Sequence, residues 1–354
     1  MSTPLVSVAM VVCNVDRYLA EAIESILAQT FQDLEFIIVD FGSTDNSKSI
    51  ISRYAATDRR VKFGQIPHCG LAEARNAACF LAQGKYIAIM DADDVAVRER
   101  LLWQVGFMEN HPEVGVVGGA VVCIDAAGRV LTTWSNPTEN QMIQLALNER
   151  CLLRQSTALM RRDAFVALGG YRAPFAQAED YDLWLRIAER YQLANLEQVV
   201  LRYRLHPSQV SVSRRSQQSL CVLAAKVAAT SRRNGLPDPL DSVSEITPEV
   251  LSALGVTVAE QQRQLASDLR DWVRYLGNAG EYSAALKAAL EALRCDLGYV
   301  ERWRIADLRF AVARLQWKQG RPLRSGLSAA HAVLTRPLML GRPLKPLLRR
   351  IGLV

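Results

Sequence analysis

The sequence predicts an α/β fold in which helices flank a mixed, mostly parallel sheet, followed by a helical C-terminal region. In the first ninety residues, four apolar strand-like runs alternate with helix-like patterns, which is typical of a parallel sheet with crossover helices. Beyond a glycine- and proline-containing stretch at 232–248, apolar residues recur only at helical spacing. We therefore expect a sheet domain over 1–215, a helix and linker over 216–260, and a helical region over 261–354.

The elements of the sheet domain follow from their apolar patterns. Strands are expected where apolar, often β-branched residues run together, and helices where apolar residues lie three and four positions apart. The strands are expected over Leu5–Val12, Glu35–Val39, Val61–Gln65, Lys85–Met90 and Val114–Ile124. The helices are expected around Leu19–Leu27 and over Asn46–Tyr54, Leu71–Gln83 and Arg98–Glu109, with Gly84 capping the third helix. Ligands of such sheets bind beyond the carboxyl ends of the strands, so functional residues are expected there.

The C-terminal region is predicted to consist of helices joined by turns. One apolar stripe ends at the GNAG turn, 277–280, and a second begins at Tyr282. This pair loosely resembles a tetratricopeptide unit, although the further turn at Gly320 is too divergent to define a repeat. We interpret the stripes as ordinary core rather than as a ligand groove.

The charge of the chain is concentrated at its end. The formal net charge is +6, and the residues from Arg321 onward include seven basic and no acidic side chains. Nucleic acid and anionic membrane are the usual partners of such a tail. No nucleic-acid-binding motif accompanies it, so we expect no nucleic acid and favour an anionic membrane surface through 321–350. A solvated basic surface is the equal alternative.

Composition also indicates a compartment. The N-terminus has no basic segment before a long apolar core, and no run approaches 18 apolar residues, so neither a signal peptide nor a membrane span is expected. The seven cysteines are scattered without a CxxC pair, which argues against a disulfide framework or a zinc site. We expect a cytoplasmic protein, peripheral on the inner face of the membrane if the tail binds there.

The main chemical signal is the sequence DADD, 91–94, directly after the fourth strand. Alternate side chains of a strand share a face, so Asp91 and Asp93 are expected to point the same way. Paired carboxylates suit Mg²⁺ or Mn²⁺, and such an ion can neutralise the diphosphate leaving group of a nucleotide-sugar donor. Taken alone this motif is weak, because acidic residues after a strand are often helix caps and turn formers, and Asp94 could be only that.

Five motifs in order make the signal specific. They are VSVAMVVCN (6–14), AIESILAQTFQDLEFIIVDFGSTD (22–45), GLAEARN (70–76), GKYIAIMDADD (84–94) and AEDYDLWLR (178–186). Over residues 5–207 the chain closely resembles the family 2 glycosyltransferases, whose GT-A fold is Rossmann-like. The resemblance implies a metal-dependent, inverting transferase of hexosyltransferase type, with a nucleotide-sugar donor half and an acceptor half.

The resemblance implies which residues bind the donor. Cys13, Asn14 and Asp40 would border the base and ribose of the nucleotide, and Arg75 would lie on the donor side. A salt bridge on a helix face is the equal alternative for Arg75. Phe41 departs from the family pattern, because most relatives carry a second acid there. An aromatic ring can stack on the base but cannot accept its imide N–H, so the donor base is not predicted.

The metal ligands and the catalytic base are implied in the same way. Asp93 matches the principal metal-binding carboxylate and Asp91 its partner, and both would lie at the donor. Asp180 matches the base, which takes a proton from the acceptor hydroxyl as this oxygen attacks the anomeric carbon. Its position at a predicted helix start leaves interaction with the helix dipole as the alternative. Glu179 and Asp182 are weaker candidates, because Asp182 can pair with Arg186 one helical turn away.

The segment after the acceptor half also contains candidate ligands. His206 resembles a family histidine that would touch the metal or the diphosphate, although a lone histidine before proline is often only a turn residue. Arg202 and Arg204 could pair with phosphate charge or simply alternate outward along a strand.

The resemblance favours an active transferase that adds sugar to a glycan or lipid-linked acceptor during surface polysaccharide synthesis. The alternative is a catalytically impaired scaffold that binds the donor and recruits partner transferases through its helical region. Phe41 favours the scaffold slightly, and the intact DADD and AED motifs disfavour it. A nicotinamide dehydrogenase is excluded, because the first strand–helix turn contains no glycine to admit a pyrophosphate.

Overall fold

The computed structural model describes residues 3–175, 177–206, 215–295 and 302–335, with side chains at 305–332 in the last segment. Two compact units are formed. The first combines the chain up to Arg204 with Ala224–Ile246, and the second combines Leu205–Leu223 with the chain from Thr247 onward. The sheet lies in the first unit, and the boundaries at 215 and 260 stay predictions.

The first unit contains a mixed sheet of nine described strands. They are β1 (Val6–Val12), β2 (Leu34–Asp40), β3 (Val61–Gln65), β4 (Tyr86–Asp91), β5 (Val95–Ala96), β6 (Val114–Ile124), β7 (Val130–Trp134), β8 (Leu159–Arg161) and β9 (Gln192–Arg204). Their order is β3-β2-β1-β4-β8-β6-β9-β5, and β7 pairs with the last part of β6. The strands β1 to β4 are parallel, whereas β8 is antiparallel to both β4 and β6.

Helices flank this sheet and make up the second unit. Those of the sheet half are α1 (Asp16–Leu27), α2 (Ser47–Thr57), α3 (Leu71–Phe80), α4 (Arg100–Asn110), α5 (Asn140–Leu147), α6 (Arg162–Ala167) and α7 (Glu179–Ala188). Those that follow are α8 (Arg215–Arg233), α9 (Pro248–Ala253), α10 (Val258–Asn278), α11 (Tyr282–Ala292), α12 (Arg302–Lys318) and α13 (Pro322–Thr335). The predicted fold class, a mixed sheet flanked by helices with a helical C-terminal region, is confirmed.

The central strands place the site. All seven residues of β2 are buried, and β1 and β4 are buried over nearly their whole length, which is typical of parallel strands covered on both faces. In the register of these strands, Val12 pairs with Asp40 and Val11 with Asp91. The carboxyl ends of β1, β2 and β4 therefore meet at one edge of the sheet.

The prediction that Gly84 caps the third helix is wrong. The helix α3 ends at Phe80, and Gly84 is not among the glycines with positive φ. A Cβ atom on Gly84 would lie 2.8 Å from the backbone nitrogen of Ser7 and 2.9 Å from the carbonyl oxygen of Leu5. Glycine is needed here because the chain passes against the backbone of β1 as it enters β4.

The segment 232–248, which the sequence predicts as a linker, is largely packed within the first unit. It begins inside α8, and Leu240 and Ile246 are buried in the first unit. The carboxylate of Asp238 accepts a hydrogen bond from Arg172 at 2.9 Å and another from Arg232. Glycine and proline shape the turns of this segment, but buried apolar side chains and ion pairs fix it in place.

The second unit contains helical hairpins, as the apolar stripes predict. The side chains of Thr257 and Glu260 form a capping box at the start of α10, and the positive φ of Gly280 allows the turn into α11. Apolar residues of α10, α11 and α12 form one core. The turn at Gly320, φ 70°, joins α12 to α13. No helix in the described ranges is long and apolar enough to span a membrane, and the basic tail beyond Thr335 lies outside those ranges.

Candidate active site

The turn after β1 is fastened to the loop after β2. Asn14 has a φ of 54°, a left-handed conformation that asparagine tolerates better than most residues. Its side-chain oxygen accepts hydrogen bonds from the backbone N–H of Thr44 at 2.8 Å and of Asp45 at 3.3 Å. Its own N–H donates to the Ser43 hydroxyl at 3.0 Å. Asn14 therefore shapes the edge where the sequence predicts the nucleotide.

Asp40 is a buried carboxylate with one unused oxygen. Its Oδ1 accepts hydrogen bonds from the backbone N–H groups of Gly42 and Ser43, both at 3.2 Å, and lies 3.8 Å from Nζ of Lys48. Its Oδ2 is buried and has no hydrogen-bond partner. A buried acceptor without a donor costs free energy, so Oδ2 is suited to an N–H or O–H group supplied by a ligand.

Phe41 and Cys13 lie beside Asp40 at the same edge. The ring of Phe41 stacks on His68, with centroids 6.1 Å apart and an interplanar angle of 15°. Nδ1 of His68 lies 3.2 Å from the Phe41 carbonyl oxygen. Burial raises the pKa of the Cys13 thiol, and Asp40 and Asp45 raise it further. Cys13 is therefore a neutral thiol that lines the edge rather than a nucleophile.

The DADD segment forms a turn. The strand β4 ends at Asp91, Ala92 and Asp93 lie in the turn, and the N–H of Asp94 is 3.4 Å from the Asp91 carbonyl oxygen. The prediction that strand alternation makes Asp91 and Asp93 point the same way is therefore wrong, because Asp93 lies outside the strand. Burial raises the pKa of Asp91, the nearby Arg75 opposes this, and the Asp93 charge adds to it. Both residues are partly exposed at this turn.

Asp94 holds this turn in place. Its carboxylate is buried and accepts hydrogen bonds from the Ser156 hydroxyl at 2.6 Å and from the backbone N–H of Arg204 at 2.8 Å. The reading of Asp94 as a helix cap is wrong, because β5 follows it and α4 begins only at Arg100. Asp94 instead ties the turn to Ser156 and Arg204, which lie 62 and 110 positions later in the chain.

The arginines near the end of β9 have structural partners. The buried Arg204 donates to the Asp93 carbonyl oxygen at 2.9 Å and to the Glu21 carboxylate at 2.6 Å. Arg202 donates to the carbonyl oxygen of Gly128 at 3.0 Å. His206 is buried and is the last described residue before position 215. Its contact with a metal or diphosphate stays a prediction.

Arg75 connects the DADD turn to helix α7. One nitrogen of its guanidinium donates to Asp91 at 2.9 Å and another to the carboxylate of Glu179. Only 11% of the Arg75 side chain and 3% of the Glu179 side chain are exposed. The salt bridge proposed from sequence for Arg75 is therefore present, but it is buried and lies within the site. Glu179, a weaker candidate from sequence, is the partner that sequence reasoning missed.

Asp180 follows Glu179 in the first turn of α7 and is partly exposed. Its Oδ1 accepts a hydrogen bond from the backbone N–H of Tyr181 at 2.7 Å. Burial raises its pKa, Arg75 and the Tyr181 N–H oppose this, and Asp91 adds to it. A raised pKa makes a carboxylate a stronger base. Asp182 differs: it is fully buried and pairs with Arg186 at 2.9 Å, as expected, and with Arg172.

Sequence comparisons identify the family of this chain. Residues 7–169 match the sequence profile Glycosyl transferase family 2. The chain is 35% identical to EpsE of Bacillus subtilis, over 67% of this chain and 85% of EpsE. It is 30% identical to WfaP of Escherichia coli, a UDP-Glc:α-D-GlcNAc-diphosphoundecaprenol β-1,3-glucosyltransferase, over 59% of this chain and 81% of WfaP. The chain belongs to glycosyltransferase family 2.

Solved structures agree on the fold. A mannosyltransferase of Pyrobaculum calidifontis, in complex with GDP-Man and Mn²⁺, matches with a TM-score of 0.51 at 20% identity. The match covers 93% of this chain and 88% of that one. The fold is therefore GT-A, as the motifs predict.

The contacts of Asp94 give a first prediction. Asp94→Ala removes the acceptor of two buried donors and should lower the free energy of unfolding by about 2 to 4 kcal/mol. Asp93→Ala should change it by less than about 1 kcal/mol, because Asp93 is partly exposed and its charge repels Asp94. Urea denaturation followed by circular dichroism compares the two variants. Equal losses would contradict the structural role assigned to Asp94.

Proposed function

We propose that this protein is a metal-dependent, inverting glycosyltransferase of hexosyltransferase type. It moves a sugar from a nucleotide-diphosphate donor to a glycan or lipid-linked acceptor in surface polysaccharide synthesis. The observation that carries this proposal is the Arg75 bridge. One guanidinium contacts Asp91 of the DADD turn and Glu179 beside Asp180, so the proposed donor carboxylates and the proposed base belong to one site.

The nucleotide is proposed to bind at the ends of β1 and β2, along Cys13, Asn14, Asp40 and Phe41. The unpaired Oδ2 of Asp40 supports this, because a base N–H or a ribose O–H would satisfy it. A carboxylate accepts from either kind of donor. The partly exposed ring of Phe41 adds an aromatic face at the same edge.

The DADD turn fits a divalent cation that is bound together with the donor. In the described ranges, no cluster of three or more His, Cys, Asp or Glu side chains could hold a metal. Magnesium-type sites often use one or two carboxylates and complete their shell with substrate phosphate oxygens. Asp93 and Asp91 match that pattern, and we assign them as ligands of Mn²⁺ or Mg²⁺. The ion would neutralise charge on the departing diphosphate.

Asp180 is assigned as the base. Its partly exposed position and raised pKa suit the removal of a proton from an acceptor hydroxyl. A direct displacement needs one such carboxylate and no covalent intermediate. Glu179 is not a second base, because its buried carboxylate is held by Arg75. We assign Glu179 and Arg75 to fixing the start of α7 relative to the DADD turn.

Two similar proteins support the substrate classes. The name of WfaP describes a nucleotide-sugar donor and an acceptor carried on a lipid diphosphate. The mannosyltransferase of similar fold was crystallised with GDP-Man and Mn²⁺. We propose the same classes for this chain and leave the base and the sugar open, because Phe41 replaces the acid of most relatives.

Nucleotide binding should depend on metal. Calorimetry with UDP and GDP should show at least about tenfold tighter binding with Mn²⁺ than with EDTA for one of them, because an ion held by Asp91 and Asp93 would offset the charge of the diphosphate. Asp93→Asn should lose this gain. Asp163→Asn, which alters an exposed carboxylate in α6, should retain it. Equal affinities with and without metal would remove Asp91 and Asp93 as metal ligands.

Asp180→Asn should reduce transfer by about 10²- to 10⁴-fold, because an amide cannot take the acceptor proton. Donor affinity should stay within about twofold, since the amide keeps the size of the side chain. Steady-state turnover with the best-binding nucleotide sugar, together with calorimetry, measures both quantities. Normal turnover in the variant would rule out Asp180 as the base.

The scaffold alternative is tested with the wild-type protein. Donor binding without sugar transfer, over a panel of acceptors, would favour that alternative.

We also propose that the basic segment 321–350 binds an anionic membrane surface, which would make the protein peripheral on the inner face. Each basic residue near such a surface contributes about 1 kcal/mol. Replacing the five basic residues after Thr335 by glutamine should therefore abolish co-sedimentation with phosphatidylglycerol vesicles. The replaced residues are Arg336, Arg342, Lys345, Arg349 and Arg350. Undiminished binding would show that the tail is only a solvated surface.

A further inference from the structure

Arg154 lies against two aromatic rings over the end of β6. Its guanidinium carbon is 4.1 Å from the ring centroid of Trp134 and 5.3 Å from that of Tyr203. The two ring centroids are 5.8 Å apart. Trp134 ends β7, where it pairs with Val121 of β6, and Tyr203 lies in β9 opposite Cys123 of β6. The rings therefore hold the guanidinium across β6 from both neighbouring strands.

Arg154 contacts no carboxylate directly. Within the described residues it forms no ion pair, and its buried Nε has no hydrogen-bond acceptor. The buried Nε of Arg75 also has no acceptor, but Arg75 and Arg204 differ in that each contacts a carboxylate directly. A guanidinium stays charged at any physiological pH, and a buried N–H without an acceptor costs free energy. An anion at this position would satisfy both the charge and the N–H.

Arg154 belongs to the turn that supports the DADD segment. Its carbonyl oxygen accepts hydrogen bonds from the N–H of Thr157 at 2.9 Å and from the Thr157 hydroxyl at 2.8 Å. Two residues after Arg154, the Ser156 hydroxyl donates to Asp94 at 2.6 Å. Two residues span at most about 7 Å. The backbone of Arg154 is thus within a short distance of the proposed metal turn.

Arg154 and the proposed nucleotide residues lie on opposite sides of β4. The proposed nucleotide residues lie at the ends of β1 and β2, on one side of β4, whereas β8, β6 and β9 lie on the other side. Arg154 precedes β8 and contacts residues of β7 and β9. With the donor assigned to the β1 side of β4, the β6 side is the one left for an acceptor.

We propose that Arg154, held by Trp134 and Tyr203, is an anion-binding subsite for a phosphate or diphosphate group of the acceptor. The assignment to the acceptor rests on the proposed function. A guanidinium binds phosphate oxygens through two parallel N–H donors. Stacking on the rings fixes the plane of these donors before the anion binds. A donor diphosphate has the same chemistry, so the test must distinguish the two sources.

The test is calorimetry of the full chain with inorganic pyrophosphate in EDTA, which removes metal-dependent binding at the DADD turn. Wild-type protein should bind, and Arg154→Gln should bind about 10- to 100-fold more weakly, as expected for loss of a charge-assisted contact. Arg154→Lys should give an intermediate affinity for pyrophosphate, because lysine keeps the charge but lacks the two parallel N–H donors of the guanidinium. Arg129→Gln is the matched control. It removes the same charge from an 80% exposed side chain paired with Asp125 and should bind as the wild type does.

A second arm uses nucleoside diphosphate with Mn²⁺. Arg154→Gln should keep wild-type affinity there, and a loss of about tenfold would assign the subsite to the donor and overturn the acceptor assignment. The proposal is also overturned if wild type fails to bind pyrophosphate, or if Arg154→Gln, with the circular dichroism spectrum of wild type, binds it equally well. If Arg154→Gln does not fold, Arg154→Lys is the variant that tests the proposal. Unchanged affinity of Arg154→Lys for pyrophosphate would then contradict binding through the guanidinium. The metal-free arm needs neither donor binding nor turnover, so its result is independent of the proposed transferase activity.

Discussion

The site depends on one buried cation shared by two carboxylates. Arg75 of α3 contacts Asp91 at the end of β4 and Glu179 at the start of α7. Two carboxylates in a poorly solvated place repel each other, and each would be costly to keep charged alone. The planar guanidinium has enough donors to serve both at once. Because the three residues come from three separate elements, this contact fixes the relative positions of the DADD turn and the α7 terminus.

The rest of the site remains rich in negative charge. Asp91, Asp94 and Asp180 all have raised pKa values, mainly through burial, so their charged forms are disfavoured relative to water. Arg100 lies fully buried nearby but donates to the carbonyl oxygens of Ile89 and Ala158 rather than to a carboxylate. A divalent cation at the turn would lower the cost of these charges. The environment of these carboxylates therefore supports the proposal that the DADD turn binds a divalent cation.

The sequence predicts the sheet well and the site only in part. The strands β1, β2 and β4 are found within one residue of their expected limits, because buried parallel strands leave uninterrupted apolar runs. Local pattern also places Asp180 at a helix start. The close approach at Gly84 and the partners of Asp94 could not be predicted. They depend on chain segments dozens of residues away, whose proximity only the folded topology creates.

The same reason explains why Glu179 and Arg154 are hard to assign from sequence. Glu179 reads as an ordinary acid in a first helical turn, and only its burial against Arg75 distinguishes it from Asp180. Arg154 has no local signal, because the rings that hold it come from β7 and β9. The two arginines have opposite relations to charge. Arg75 is paired with two carboxylates, so it orders the site, whereas Arg154 has no carboxylate partner in the described residues and so keeps its attraction for an anion. Arg75 is therefore suited to ordering the site, and Arg154 to recruiting a ligand.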